Sequence, residues 1–196
     1  MEISDFYNEE YLDLLKQYQL LQKKKNDIYN VAIEMSFFDR KWENYSKHLK
    51  YIEKELIKTN MELQKLEPRK IYSDKVTLVL DPERFLWYYD IYNSNNRLVG
   101  NIEFRGHHID NYSGDVGYSI LEEHRGSSYA YHALCVLGEL IKAKGYNDFW
   151  VSSKYNNISS IKTIKKYGGK LIEEDEGVYL FNCSAQKDNS IKVLVK

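Results

Sequence analysis

Residues 116–134, VGYSILEEHRGSSYAYHAL, predict a strand that passes through a short loop into a helix. The apolar run Val116–Leu121 is β-like, whereas apolar residues recur at helical spacing from about Ser127 to Lys144. The first N–H groups of a helix have no partner within it and lie at the positive end of its dipole. Together with Arg125 and Gly126, they suit the turn to an anion such as a pyrophosphate. The alternative is a loop whose Gly and Ser serve only as helix caps.

Short β-like runs and turn residues surround this segment. The predicted strands are Lys75–Leu80, Phe85–Tyr92, Leu98–Phe104, Val116–Leu121, Asp148–Ser153, Lys170–Glu174 and Val178–Cys183, with Ile191–Val195 as a further candidate. A second helix is predicted at Ser159–Tyr167. This order predicts an α/β (α+β) domain over residues 68–196, with a mixed central sheet flanked by helices.

Residues 1–67 contain neither glycine nor proline, and their apolar residues repeat in heptads. They predict a long helical arm. The heptads lose phase near Ser36–Asp39, which favours two helices folded as an antiparallel hairpin. One continuous helix of about 90 Å is the alternative. The apolar seam requires a cover, so the arm is also a candidate element for a homodimer.

Several functional classes are excluded by composition. The net charge of −1 provides no field for nucleic acid or an anionic membrane. Neither a membrane-spanning run nor a signal peptide is recognisable, so we expect a cytoplasmic protein. Cys135 and Cys183 have no metal-ligand spacing and are predicted to be buried thiols. The five histidines are scattered, and no metal site is expected.

Two motifs resemble elements of the GNAT acetyltransferases. Gly117-Tyr118 followed by residues 125–130, RGSSYA, resembles the family's acetyl-CoA loop, Gln/Arg-x-x-Gly-x-Gly/Ala. Asn157, Ser160 and residues 165–168, KKYG, resemble its Asn-x-x-Ser … Glu-Lys-x-Gly-Phe element. The pattern is most similar to the branch with ribosomal-protein N-terminal and small-amine acetyltransferases. The resemblance implies a GNAT-like fold and an N-acetyltransferase that moves an acetyl group from acetyl-CoA to a primary amine of a small molecule, peptide or protein.

The resemblance also implies individual roles. The backbone amides of Arg125, Gly126, Ser127, Ser128, Tyr129 and Ala130 would hold the pyrophosphate. The backbone of Ile120, Leu121 and Glu122 would pair with the pantetheine arm, and Asn157 and Ser160 would face the cofactor from the other side. The sequence departs from the pattern at three positions: Ser128 replaces a glycine, Gly169 replaces a phenylalanine, and Ile164 stands where many relatives carry a tyrosine acid.

Acetyl transfer requires a neutral amine and hydrogen-bond donors near the thioester oxygen. The candidate bases are Asp115 and Glu103, with His107 as a third, and Ser152 and Ser153 are candidates to position a water. A strand amide around Leu121 is the candidate donor to the oxygen. The alternative hypothesis is a catalytically weak acyl-CoA-binding or protein-interaction module that uses the helical arm.

Overall fold

A computed structural model describes residues 6–33, 42–84, 87–107, 114–185 and 194–195. The described residues divide into two compact units, one formed by Asn8–Glu67 and the other by the chain from Pro68 together with Phe6 and Tyr7. Within the described ranges, no helix has the length and apolar character that crossing a membrane requires.

The first unit consists of two antiparallel helices, α1 (Glu9–Ile33) and α2 (Trp42–Leu66). Asn8 caps α1, because its Oδ1 accepts the Tyr11 N–H at 2.9 Å. The Tyr11 hydroxyl donates to Glu67, and Lys25 Nζ lies 3.3 Å from Glu53 Oε1. The start of α1 thus contacts the end of α2, and a residue further along α1 contacts an earlier residue of α2, so the two helices run in opposite directions. They confirm two helices within one chain and exclude the continuous helix.

The inner faces of the two helices carry the predicted apolar seam. Its buried members are Tyr11, Tyr18, Ile52, Leu56 and Leu63. Lys25 occupies a heptad position of α1 that is otherwise apolar, and it forms the ion pair with Glu53. The predicted turn at Ser36–Asp39 lies outside the described residues, and pairing of the arm with a second subunit stays a prediction.

Among the residues that the structure describes, the second unit contains a nine-stranded mixed sheet in the order β7-β8-β6-β5-β4-β3-β2-β1-β9. The strands are β1 (Lys70–Tyr72), β2 (Val76–Leu80), β3 (Trp87–Asn93), β4 (Leu98–Phe104), β5 (Val116–Ile120), β6 (Asp148–Lys154), β7 (Lys170–Asp175), β8 (Val178–Ser184) and β9 (Leu194–Val195). Helix α3 (Tyr129–Ala143) connects β5 to β6, and α4 (Ile158–Tyr167) connects β6 to β7. This arrangement confirms the predicted fold class.

Helix α3 forms the core with the inner face of the sheet. Residues Ala133–Ile141 are buried in an unbroken run, and α3 contacts strands β2 to β6. Burial alternates along β2 and β3, as expected of strands with one covered face. Burying each large aliphatic side chain contributes about 1.5–3 kcal/mol. Because these buried side chains hold α3 against the sheet, they also fix the position of its first residue relative to β5.

The central strands β5 and β6 are parallel and separate soon after they meet. Their only register pair is Val116 with Val151, whereas β5 pairs with β4 along its whole length and β6 does so with β8. Beyond Val116 the two strands therefore diverge. This gap opens at the ends of β5 and β6 where the two helical connections begin.

Candidate functional site

The diverging strands enclose two adjoining clefts. The larger, of about 520 Å³, is lined mainly by β4, β5 and β6, and includes Glu103, Arg105, Ser152 and Ser153. The smaller, of about 270 Å³, extends toward the start of α3 and includes Arg125 and Ala130. Four residues line both clefts: Tyr118, Ser119, Asn157 and Ser160. The clefts therefore meet at these residues.

The loop before α3 presents a row of backbone N–H groups. Gly126 and Ser128 have positive φ values of 82° and 61°, and residues 126–128 are exposed. The first helical bond is donated by the His132 N–H to Ser128 O, at 3.1 Å. In the described part of the chain, the N–H groups from Gly126 to Ala130 donate no backbone hydrogen bond of ordinary length and angle. A Cβ on Gly126 would meet nothing within 4 Å, so the space outside the loop is open.

The Arg125 amide differs from its neighbours. It donates to Glu122 O at 3.2 Å and closes the 3₁₀ helix Glu122–His124. The predicted amide row therefore starts at Gly126, and its inclusion of Arg125 was wrong. The Arg125 side chain is exposed and its Nε donates to Ile120 O at 3.3 Å.

The backbone after β5 is also partly engaged. The Leu121 N–H donates to Val99 O at 2.9 Å, so this amide is engaged in the sheet, and the donor to the thioester oxygen predicted around Leu121 stays a prediction. Because backbone groups alternate between the two sides of a strand, those of Ile120 and Tyr118 point away from β4, toward the gap. Glu122 is exposed at the start of the 3₁₀ helix. Ile120 thus keeps the orientation expected from the sequence, whereas Leu121 does not.

The opposite wall is built by the start of α4. Asn157 caps the helix, since its Oδ1 accepts the Ser160 N–H at 3.1 Å. Ser160 Oγ lies 3.0 Å from the Tyr118 hydroxyl, which ties α4 to β5 across the gap. Burial raises the pKa of Tyr118, and the hydrogen bond with Ser160 acts in the opposite direction. Ile164, at the place of the family's tyrosine, is fully buried.

Glu103 and Arg105 form an ion pair on the wall of the larger cleft. Arg105 Nη2 and Nε donate to Glu103 Oε1 at 2.7 Å and 3.0 Å, and Nη1 donates to Gly114 O at 3.2 Å. The guanidinium lies over Gly117: a Cβ there would stand 2.4 Å from Arg105 Nη2. Gly117 therefore provides the space in which the pair lies.

Asp115 lies beneath the gap and does not line either cleft. It is 1% exposed, its Oδ2 accepts the Trp150 N–H at 2.8 Å, and its own N–H donates to Trp150 O at 2.8 Å. This carboxylate joins β5 to β6 at the point where they meet. The geometry gives Asp115 a structural task and corrects the expectation that it faces an acceptor.

His107 is also distant from the clefts. Its Nε2 lies 3.0 Å from Asp148 Oδ1 at the beginning of β6, and its ring stacks on Tyr146 with centroids 4.8 Å apart. The clefts open at the other end of β6. Of the three candidate bases, only Glu103 lines a cleft.

Arg105 and Tyr118 line the clefts, although the sequence predicted no individual catalytic or cofactor role for either residue. Arg105 follows Glu103 by two residues along a strand, a spacing that places both side chains on one face. That signal was available. Tyr118 was part of the motif, but its contact with Ser160 depends on the position of α4.

Cys135 and Cys183 are buried and not joined by a disulfide, which confirms the prediction of buried thiols. Burial raises the pKa of the Cys183 thiol to about 12. Over the described ranges, no group of three or more His, Cys, Asp or Glu residues is arranged to hold a metal ion.

Several solved structures resemble this fold. A GNAT-family acetyltransferase from Bacillus anthracis is 15% identical, with a TM-score of 0.43, over 50% of this chain and 66% of its own. The ribosomal-protein-S5-alanine acetyltransferase of Vibrio fischeri is 18% identical, with a TM-score of 0.41, over 53% and 62%. The Campylobacter jejuni N-acetyltransferase PseH, in complex with acetyl coenzyme A, is 12% identical, with a TM-score of 0.41, over 81% and 92%.

No protein-family model matches the sequence, and no curated protein matches it as a relative. The matched part is 50% of this chain and 66% of the length of the first two solved structures. The roles of individual residues are argued from their own contacts.

Proposed function

We propose that this protein is an acetyl-CoA-dependent N-acetyltransferase that acts on a primary amine of a small molecule, peptide or protein. The observation that carries the proposal is the open row of N–H groups from Gly126 to Ala130 beside the gap between β5 and β6. Unbonded amides at a helix N-terminus favour a diphosphate, and strand edges without partners favour an amide-containing chain such as pantetheine.

The smaller cleft is the proposed cofactor side. Its lining includes Arg125, Ala130 and Ile120 on one wall and Asn157 and Ser160 on the other. Arg125 adds positive charge at the end where a diphosphate would lie. The backbone of Ile120 faces the gap, and Asn157 and Ser160 close it from the α4 side.

The larger cleft is the proposed acceptor side, with Glu103 as the base. Arg105 occupies Oε1 of Glu103 and thereby orients the carboxylate. A carboxylate at this place attracts an ammonium group and accepts its proton, directly or through a water near Ser152 and Ser153. The neutral amine then attacks the thioester carbon directly, with no covalent enzyme intermediate.

We also propose residues 1–67 and 68–196 as two domains, with catalysis in the second. The separate compactness of the units Asn8–Glu67 and Pro68 onward supports this division.

Acetyl-CoA binding is the first experimental test. At a concentration about 100-fold above Kd, it stabilises the protein by about 2.7 kcal/mol, which raises Tm by about 5–10 °C for a chain of this size. Release of free thiol with an amine panel then measures turnover. No thermal shift at millimolar acetyl-CoA would contradict the proposal. A shift without turnover on any amine would instead favour the acyl-CoA-binding module.

A matched pair of variants, Ser127→Glu and Ser127→Gln, tests the amide row itself. Ser127 is exposed, and both substitutions have similar size. One negative charge about 6 Å from a doubly charged diphosphate costs about 1.4–2.8 kcal/mol at an effective dielectric constant of about 80 to 40. We expect acetyl-CoA to bind about 10- to 100-fold more weakly to Ser127→Glu and nearly normally to Ser127→Gln. Equal affinities would place the diphosphate elsewhere.

A further inference from the structure

The Tyr118 hydroxyl lies where the two clefts meet. Tyr118 is on β5, and its hydroxyl lies 3.0 Å from Ser160 Oγ and 3.3 Å from Ser160 O on α4. Both residues line the cleft that contains Arg125 and Ala130 and the cleft that contains Glu103. An acetyl group that passes from one cleft to the other therefore passes this hydroxyl pair.

The part of α4 around Ser160 carries no tyrosine of its own. Ile164 stands one turn after Ser160, and its side chain is fully buried. Tyr167 lies farther along the helix, where its hydroxyl donates to Ser184 O at 3.0 Å. The tyrosine that lines both clefts thus comes from β5 and not from α4.

We propose that Tyr118 is the general acid of the reaction, an inference that rests on the proposed function. The acceptor nitrogen forms a bond with the acetyl carbon, the C–S bond breaks, and its electron pair stays on sulfur. Tyr118 gives its O–H proton to that sulfur, so the leaving group departs as a thiol. The ammonium nitrogen loses two protons in all: one restores the phenol, and the other leaves to solvent through Glu103 and water.

The surroundings of Tyr118 support this role. Burial raises the pKa of the hydroxyl, so it holds its proton at neutral pH. The other ionisable groups that line these clefts or act on Tyr118 are Glu103 on β4, Arg105 just after β4, Arg125 in the loop before α3, Lys154 on β6 and Cys183 on β8. Ser160 fixes the direction of the phenol and is a positioning residue.

Tyr118→Phe and Tyr167→Phe form a matched pair, because each removes one hydroxyl that contacts α4 or β8 through a hydrogen bond. Loss of a general acid lowers kcat by about 10²-fold or more. We expect that loss for Tyr118→Phe, with the Kd for acetyl-CoA changed by less than about twofold. Tyr167→Phe keeps kcat within about twofold. Equal kcat values in the two variants would overturn the inference.

Fluorinated tyrosines at position 118 test the proton transfer in a protein that keeps the phenol. Their hydroxyl is more acidic, so the alkaline limb of the pH profile of kcat shifts to lower pH if Tyr118 donates the proton. An unshifted limb would assign Tyr118 a structural role only. Absence of turnover in the unmodified protein would overturn the proposed function and this inference together, whereas turnover with an unaffected Tyr118→Phe variant overturns the inference alone.

Discussion

Gly117→Ala is expected to separate activity from stability. A Cβ at this position would stand 2.4 Å from Arg105 Nη2 and 3.0 Å from Glu103 Oε1, whereas ordinary contact begins at 3.4 Å. The guanidinium must therefore move away by about 1 Å. It moves because it is the end of a flexible side chain, whereas the strand backbone is held by the sheet. Glu103 loses the contact that orients its carboxylate.

The two expected magnitudes differ widely. The Arg105 and Glu103 side chains are 35% and 32% exposed, so their ion pair contributes at most about 1 kcal/mol to stability. Replacing a strand glycine by alanine returns about 0.5–1 kcal/mol. The free energy of unfolding should change by less than about 1 kcal/mol. A displacement of about 1 Å at a catalytic group lowers kcat/KM by about 100-fold, or about 2.7 kcal/mol.

The assay is a double-mutant cycle on kcat/KM for the best amine acceptor. If alanine at 117 acts by moving Arg105, then it adds little loss in an Arg105→Ala background, and the two effects are strongly non-additive. Acetyl-CoA binding, measured by calorimetry, should be unchanged in all variants. Additive effects, or a Gly117→Ala variant with normal kcat/KM, would refute the proposed role of the Glu103–Arg105 pair.

Two further predictions concern the buried groups around the gap. Asp115→Ala removes the carboxylate that accepts the Trp150 N–H and should lower the free energy of unfolding by about 1–3 kcal/mol in urea titrations. Asp115→Asn keeps an acceptor oxygen and should retain turnover. An Asp115→Asn variant that is stable but inactive would instead support Asp115 as the base. Cys183, with its pKa raised to about 12, should not react with a thiol reagent at neutral pH until urea unfolds the chain, so rapid labelling of Cys183 in the folded protein would contradict its burial.

Local patterns in the sequence predicted most of the elements. Leu98–Phe104 was predicted with the observed bounds, and α4 was predicted one residue short at its start. The predicted α3 began at Ser127, two residues early, because Ser127 and Ser128 read as helix starters while the observed turn places Ser128 in the left-handed region. The strand β1 was missed, since three residues after Pro68 are too few for a periodic signal.

The candidate site was less predictable because its contacts join distant parts of the chain. The amide row could be located from the Arg-Gly-Ser-Ser segment, since it depends only on a helix start. The tasks of Asp115 and Leu121 could not, because they depend on the register of β6 and β4 with β5. Glu103 could be selected from its residue type and strand, and the two-residue spacing to Arg105 indicated a shared face, but the bonds between the two side chains are seen only in the folded chain.

The gap between β5 and β6 has a consequence for the dynamics of the sheet. Within the described part of the sheet, strands β6, β7 and β8 are hydrogen-bonded to the remaining strands only near Val116 and Val151 and between Asp115 and Trp150. Without a ligand, the junction of β5 and β6 is the expected site of sub-global opening. The backbone amides of these two strands should then exchange with solvent before those of β3 and β4. An amide-rich molecule lying in the gap would add the absent cross-strand bonds and protect both halves at once.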